Sequence, residues 1–391
     1  MDAFLNPNVR RDDGYRGLFE AEEYRDVASF YDARHDAPPT PLVSLPGLAA
    51  QLSLGGVHLK DESARFGLSA FKIAGARYAI HRIGADALRS GIVCATAGNH
   101  GRAVARAARE IGVSCTVFLP APHERASDLE RRTRSARVEG MRQDGARTVD
   151  VAGSYEEAVA EAAAYARRER AMVISDTSWP GYDEIPRSIM AGYTRLFDEA
   201  SRQWPRVPDI VLVQGGVGGL VCAAANWFAF QFGARRPYLI ACEPESAACL
   251  LESARSGRVA TIPDRAPSAP PSRSGPNERA GGQANAEITM MAGLRCVEPS
   301  AAAWPSIQSG IDAFVAIPDS VVLEAIERLQ SPIGDRPIAS TGDPPIASGP
   351  SGACGVGALL ALLSSPQLAH VHAACRPIQS TQVMAVVTEG P

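Results

Sequence analysis

GIVCATAGNHGRAVARAAREIGVSCTVFLP, residues 91–120, decides the fold. GIVCAT is apolar enough for a buried strand, and TAGNHG is a tight glycine loop. HGRAVARAAREIG then sets Ala and Val on one helical face and Arg on the other, before the strand CTVFLP. A second cycle follows, with a helical stretch at 124–143 and the strand ARTVDV. The helix SYEEAVAEAAAYARRER starts at Ser154, a cap with Glu157 three residues on, and leads to the strand AMVIS. Two more units come later: DIVLVQGGVGG into the helix LVCAAANWFAFQFG, then YLIACEP. Strands alternating with helices at this spacing predict an α/β fold with a mostly parallel sheet.

At 391 residues the chain is long enough for two or three units with a cleft between lobes. Apolar residues make up 46% and charged residues 21%, the balance of an ordinary soluble enzyme. Lys and Arg number 39 against 43 Asp and Glu, so the net charge of −4 leaves no basic field for a nucleic acid. The start, MDAFLNPNVRRDDGYRG, lacks the apolar core of a secretory signal. Residues 210–234 carry no charge, but Gln214, the glycines of 215–219, Asn226 and Gln231 favour a buried strand, loop and helix over a membrane span. The chain therefore reads as soluble and cytoplasmic. Eight cysteines show no zinc spacing, so no metal is expected; Cys249 and Cys296 flank an unusual segment and could approach each other. That segment, 261–286, is rich in Pro, Gly, Ser and Ala and reads as a mobile surface insert.

Three stretches could carry chemistry. In KDESARFGLSAFK, residues 60–72, Lys72 lies beside Phe71, Ile73 and Ala74. Burial there would disfavour the ammonium and lower the pKa, which an imine-forming lysine needs. Taken alone, the plainer reading is a lysine at a helix start reaching solvent. The second stretch is TAGNHG, where small residues let a planar ligand approach, Asn99 can donate to a ring oxygen, and His100 serves structure or chemistry equally. In the third, Gln214-Gly215-Gly216-Val217-Gly218-Gly219-Leu220, unhindered N–H groups precede a helix, as a phosphate requires. It has neither the G-x-G-x-x-G spacing of a dinucleotide site nor a terminal Gly-Lys-Ser/Thr.

Together and in this order, the three resemble the fold-type II pyridoxal-phosphate enzymes, the tryptophan synthase β and threonine deaminase group. Within it the chain resembles the diaminopropionate ammonia-lyase family. The matches are KDES-x-RFGL-x-AFK at 60–72, GNHGR at 98–102, SDT-x-W-x-GY-x-x-IP at 175–186 and IM-x-GY at 189–193. CEP at 242–244, T-x-MAGL at 289–294, EPS at 298–300, SG-x-SGA at 348–353 and TEG at 388–390 continue the series.

The resemblance implies two open, twisted, mostly parallel sheets flanked by helices. A large cofactor-binding domain would comprise 1–90 plus 206–391, and a small domain 91–205. The cofactor would be pyridoxal 5'-phosphate, carried on Lys72, with Gly215, Gly216, Val217, Gly218 and Gly219 on its phosphate. Asn99 would meet its ring hydroxyl oxygen and Thr388 its ring nitrogen. Lys72 and Asp176 would be catalytic, and Ser69 and Tyr182 would touch the substrate. The implied reaction is α,β-elimination of L-2,3-diaminopropionate to pyruvate and ammonia by a homodimer. A carboxylate at Asp176 suits a cationic β-amine better than a hydroxyl. Alternatives are a serine/threonine-type dehydratase, a β-replacement synthase acting through aminoacrylate, or, more distantly, a binding protein that keeps the fold. The family commonly has Asp where this chain has Ala97, and its SGESGA has Pro350 here, so activity on one enantiomer, the L form, is expected.

Overall fold

The computed structural model describes residues 1–12, 15, 17–96, 98–121, 128–153, 155–263, 288–330 and 343–391. Ala97, the cap expected at Ser154, the first residues of the helix expected at 124–143, and 264–286 of the expected insert lie outside them. Two sheets organise the described chain. The larger contains β1 (Asp2–Leu5), β2 (Leu42–Ser44), β3 (Gly56–Asp61), β8 (Ile210–Gln214), β9 (Tyr238–Pro244), β10 (Ala313–Ile317) and β11 (Gln382–Val387). The smaller contains β4 (Ile92–Ala95), β5 (Cys115–Pro120), β6 (Ala146–Val151) and β7 (Met172–Val173). Their orders are β1-β10-β9-β8-β11-β3-β2 and β6-β5-β4-β7.

All pairs in the smaller sheet are parallel. In the larger, only the edge strands β1 and β2 run antiparallel to their neighbours. β8 is buried at every residue, as a strand covered by helices on both faces must be. β7 is shorter than AMVIS suggested. Ile174 N–H still donates to Val93 O at 2.9 Å, and then the chain turns away at Ser175, which brings Asp176 out of the sheet.

The helix Lys72–Ile83 and the helix Glu184–Ser201 cross at unusually short range. A Cβ at Gly192 would come within 2.5 Å of Ala74 O and 2.9 Å of Gly75 Cα, so neither position admits a side chain without parting the helices. That crossing aims Tyr193 at the first turn of the Lys72 helix.

Beneath it lies a buried ionic cluster from the KDES-x-R motif. Lys60 Nζ donates to Thr40 O at 2.6 Å and to Glu199 Oε2 at 2.9 Å. Arg65 binds Glu62 and reaches Glu199 Oε2 at 2.7 Å, with all four charged side chains fully buried. Burial would raise the Glu199 carboxyl, but Arg65 and Lys60 outweigh it and hold it below its ordinary range. The motif thus anchors the loop ahead of Lys72 and keeps Lys60 out of reach of any ligand.

At the end of β9, Glu243 accepts from the N–H groups of Leu250 at 2.7 Å and Leu251 at 2.8 Å, capping the helix Cys249–Ser256. Burial outweighs those bonds and pushes its carboxyl from 4.5 up to about 8. A group that titrates higher in the folded chain adds stability at low pH and loses it as pH rises through the folded value. Between pH 4.5 and about 8 this residue should lower stability by up to about 1.4 kcal/mol per pH unit. Urea unfolding of the wild type and Glu243→Gln across that window checks it: the variant's dependence should be flatter, and identical slopes refute it.

Among the described residues no single helix is long and apolar enough to cross a membrane. All eight cysteines are free; Cys249 Sγ donates to Gly216 O at 3.5 Å, and Cys296 Sγ also lies close to that glycine.

Candidate active site

Lys72 is the first residue of its helix, and the chain entering it is tied to the C-terminal segment. Phe71 N–H donates to Thr388 O at 3.2 Å, and Ala70 bridges to Glu389. The sequence holds two lysines, Lys60 and Lys72. With Lys60 at 0% exposure, Lys72 offers the ε-amine that a ligand can reach, 22% of its side chain remaining open.

Its Nζ donates to Asp176 Oδ2 at 2.6 Å. Burial alone would lower the Lys72 pKa, as the sequence reading expected, but the Asp176 carboxylate reverses the sign and holds it above the ordinary lysine range. The amine is therefore a paired ammonium here, because its counter-ion comes from a loop 104 residues away that local sequence does not show. Asp176 mirrors this: burial would raise it, but His100 and Lys72 keep it well below the usual carboxylate range.

His100 belongs to the site. Its Nε2 lies 3.1 Å from Ile174 O and donates to it, which leaves Nδ1 3.8 Å from Asp176 Oδ2. Tyr182, expected at the substrate, braces the Asp176 turn. Its hydroxyl donates to Val173 O at 2.8 Å and accepts from Ser175 N–H at 2.9 Å, and its ring stacks on Trp179 at 4.0 Å. Ser178 continues the brace, its N–H donating to Ser300 Oγ at 3.1 Å while Ser300 N–H donates to Val217 O at 2.8 Å. EPS thereby ties the Asp176 loop to the glycine loop.

The glycine loop joins β8 to the helix Gly219–Phe232. Gly218 caps that helix with φ of 96°, a left-handed conformation suited to glycine. A Cβ on Gly215 would collide with Leu250, and one on Gly216 would come within 3.1 Å of Cys296 Sγ and 3.2 Å of Gly293 O. Side chains are excluded from this side, and the first N–H groups of the helix have no intrahelical acceptor. Such a cradle fits a phosphate.

Asn99 opens the helix Asn99–Glu110 and donates from Nδ2 to Glu389 Oε2 at 2.6 Å. Glu389 also accepts from Ser351 N–H at 3.2 Å, so its carboxylate spans from the Asn loop to the helix Pro350–Ser364. Thr388 is buried, with Oγ1 donating to Ser351 O at 3.4 Å. Ser69 is exposed, and its carbonyl accepts from Gly390 N–H at 2.9 Å. The fold thus gathers Lys72, Asp176, His100, Asn99 and Thr388 with the glycine loop, with Tyr182 bonded beside Asp176. Glu389 and Tyr193 join the site without a local signal, since neither sequence neighbourhood shows the partner that the fold brings to it.

A family profile described as "Pyridoxal-phosphate dependent enzyme" matches residues 34–369. Over 93% of its length the chain is 32% identical to the diaminopropionate ammonia-lyase of Salmonella typhimurium, covering 88% of that protein. This chain belongs to the diaminopropionate ammonia-lyase family of pyridoxal-phosphate dependent enzymes.

Among solved structures, the Escherichia coli diaminopropionate ammonia lyase in complex with an aminoacrylate-PLP azomethine reaction intermediate superposes with TM-score 0.81. It is 28% identical, and the match covers 100% of this chain and 93% of that one. Threonine deaminase isoform 2 from Solanum lycopersicum shares the fold, with TM-score 0.71 and 17% identity over 100% and 93% of the chains. The cofactor of this pyridoxal-phosphate dependent enzyme is pyridoxal 5'-phosphate, and the glycine cradle and single reachable lysine suit it. Fold-type II architecture, expected from the sequence, is the architecture observed.

Proposed function

We propose that this enzyme is an ammonia-lyase that eliminates ammonia from L-2,3-diaminopropionate. The overall change consumes one water and yields pyruvate and two ammonia molecules: the α C–H and β C–N bonds break, and released aminoacrylate hydrolyses. Pyridoxal phosphate, when bound, supplies the electron sink for the α carbon. Lys72 Nζ is the group placed to hold and return the α proton, and Gly215, Gly216, Val217, Gly218 and Gly219 would seat the phosphate. Asn99 would give its amide to the ring hydroxyl oxygen in exchange for Glu389, and Thr388 would face the ring nitrogen. The exposed Ser69 would be a substrate contact.

The observation that carries this reading is the Lys72–Asp176 pair at 2.6 Å. A substrate with a cationic β-amine can replace the Lys72 ammonium on the Asp176 carboxylate, and that exchange frees Lys72 to lose its proton. A serine hydroxyl carries no charge and cannot make the exchange. Ala97 offers no carboxylate to act from the Asn loop, which favours one enantiomer.

The site lies at the seam of a large unit, 1–90 with 206–391, and a small one, 91–205, whose approach would exclude water. We further take the enzyme to be a cytoplasmic homodimer, in keeping with its free thiols and its family. Pyruvate release from L- and D-diaminopropionate, L-serine, L-threonine and D-serine tests the assignment. The highest kcat/KM should fall on L-diaminopropionate, and a higher value with L-serine would overturn it.

A further inference from the structure

The Tyr193 side chain is 1% exposed; the Lys72 amine beside its hydroxyl can only donate to it, so the hydroxyl proton has no acceptor among the described residues. Its ring is fixed on every side. A Cβ at Gly75 would approach Cε1 to 2.5 Å, one at Gly219 would stand 3.5 Å from Cε2, and Phe71 packs at 4.8 Å between ring centroids. Lys72 Nζ lies 5.8 Å from the ring centroid. Phenylalanine would fill this space as well, and a buried hydroxyl whose proton lacks an acceptor costs stability. Its retention calls for an acceptor that arrives from outside the chain.

The surroundings say what kind. Gly219 begins the helix Gly219–Phe232, whose first N–H groups and dipole favour an anion, and the Lys72 side chain adds positive charge on the other side. We propose that the Tyr193 hydroxyl completes the cofactor's phosphate seat, donating a hydrogen bond to a phosphate oxygen held at the N-terminus of the glycine-loop helix. Burial raises the phenol above its ordinary range, so it arrives as a donor. The proposal rests on cofactor binding at the glycine loop and is independent of the choice of substrate.

Tyr193→Phe tests it. The apoprotein of wild type and variant is titrated with pyridoxal 5'-phosphate and with unphosphorylated pyridoxal, and its melting temperature is recorded without ligand. The dissociation constant for pyridoxal 5'-phosphate should rise about tenfold or more, while that for pyridoxal stays unchanged. The ligand-free variant should melt at or above the wild type, having shed an unpaired donor. An unchanged constant for the phosphorylated ligand overturns the proposal. So does an equal loss for both ligands, which would assign the hydroxyl to Lys72, and so does a lower melting temperature, which would reveal a partner inside the protein.

Discussion

Replacing Lys72 by alanine is expected to reduce pyruvate formation from L-diaminopropionate by about 10⁴-fold or more, because in the proposed assignment one side chain both binds the aldehyde and moves the α proton. A second readout is independent of turnover. Borohydride treatment of the wild-type holoenzyme should fix one pyridoxyl group per chain, on the peptide that contains Lys72. The alternative ε-amine, Lys60, is fully buried and held by Thr40 O and Glu199, so the Lys72→Ala variant should gain no mass. Covalent capture persisting in that variant, measured by intact-mass spectrometry, would overturn the assignment of Lys72. Few chains allow so clean a test. Here 37 of the 39 basic residues are arginines, which do not form this bond.

Asp176→Asn carries the second largest effect. Removing the carboxylate leaves the cationic β-amine without a counter-charge in a partly buried site, where loss of one member of such a pair costs 2–5 kcal/mol. The kcat/KM for L-diaminopropionate should drop on the order of 10²–10³-fold, and that for L-serine by much less. The pH profile adds a sign. Asp176 holds the Lys72 ammonium above its ordinary range, so the variant's Lys72 should lose its proton at lower pH. With L-serine, which does not displace Lys72 from that carboxylate, the acidic limb of the variant's kcat profile should shift downward. Equal losses for both substrates would show that Asp176 positions Lys72 without recognising the β-amine, and an unshifted limb would remove the electrostatic argument.

Much of the fold was legible because its signals are local. The apolar runs of β5, β6, β8 and β9 and the helices between them stand in the chain as continuous stretches of one period, and the structure places them where those stretches lie. β7 was less legible. Its apolar residues continue past the point where pairing stops, and the turn is enforced by the Tyr182 hydroxyl and the Ser178–Ser300 contact, both made through space.

The candidate site residues divide in the same way. Lys72, Asn99 and the glycine loop could be named from residue type and position, because each occupies a short motif at a strand–helix junction. Their order along the chain was enough to point to a cofactor. Their protonation and pairing could not be read so. Lys72 looked like an amine made neutral by apolar neighbours, and it proves to be an ammonium because Asp176 is delivered to it from another sheet. Glu389 carried no signal until the C-terminal strand brought it to Asn99 and Ser351, and Tyr193 none until two glycine-lined helices pressed it against Gly75 and Gly219. Composition and short-range pattern settle which backbone forms and which chemistry the chain can carry, since both depend on neighbours a few residues apart. Charge state and contact depend on distances of a few ångströms between residues a hundred or more positions apart, and those distances exist only once the sheets have packed.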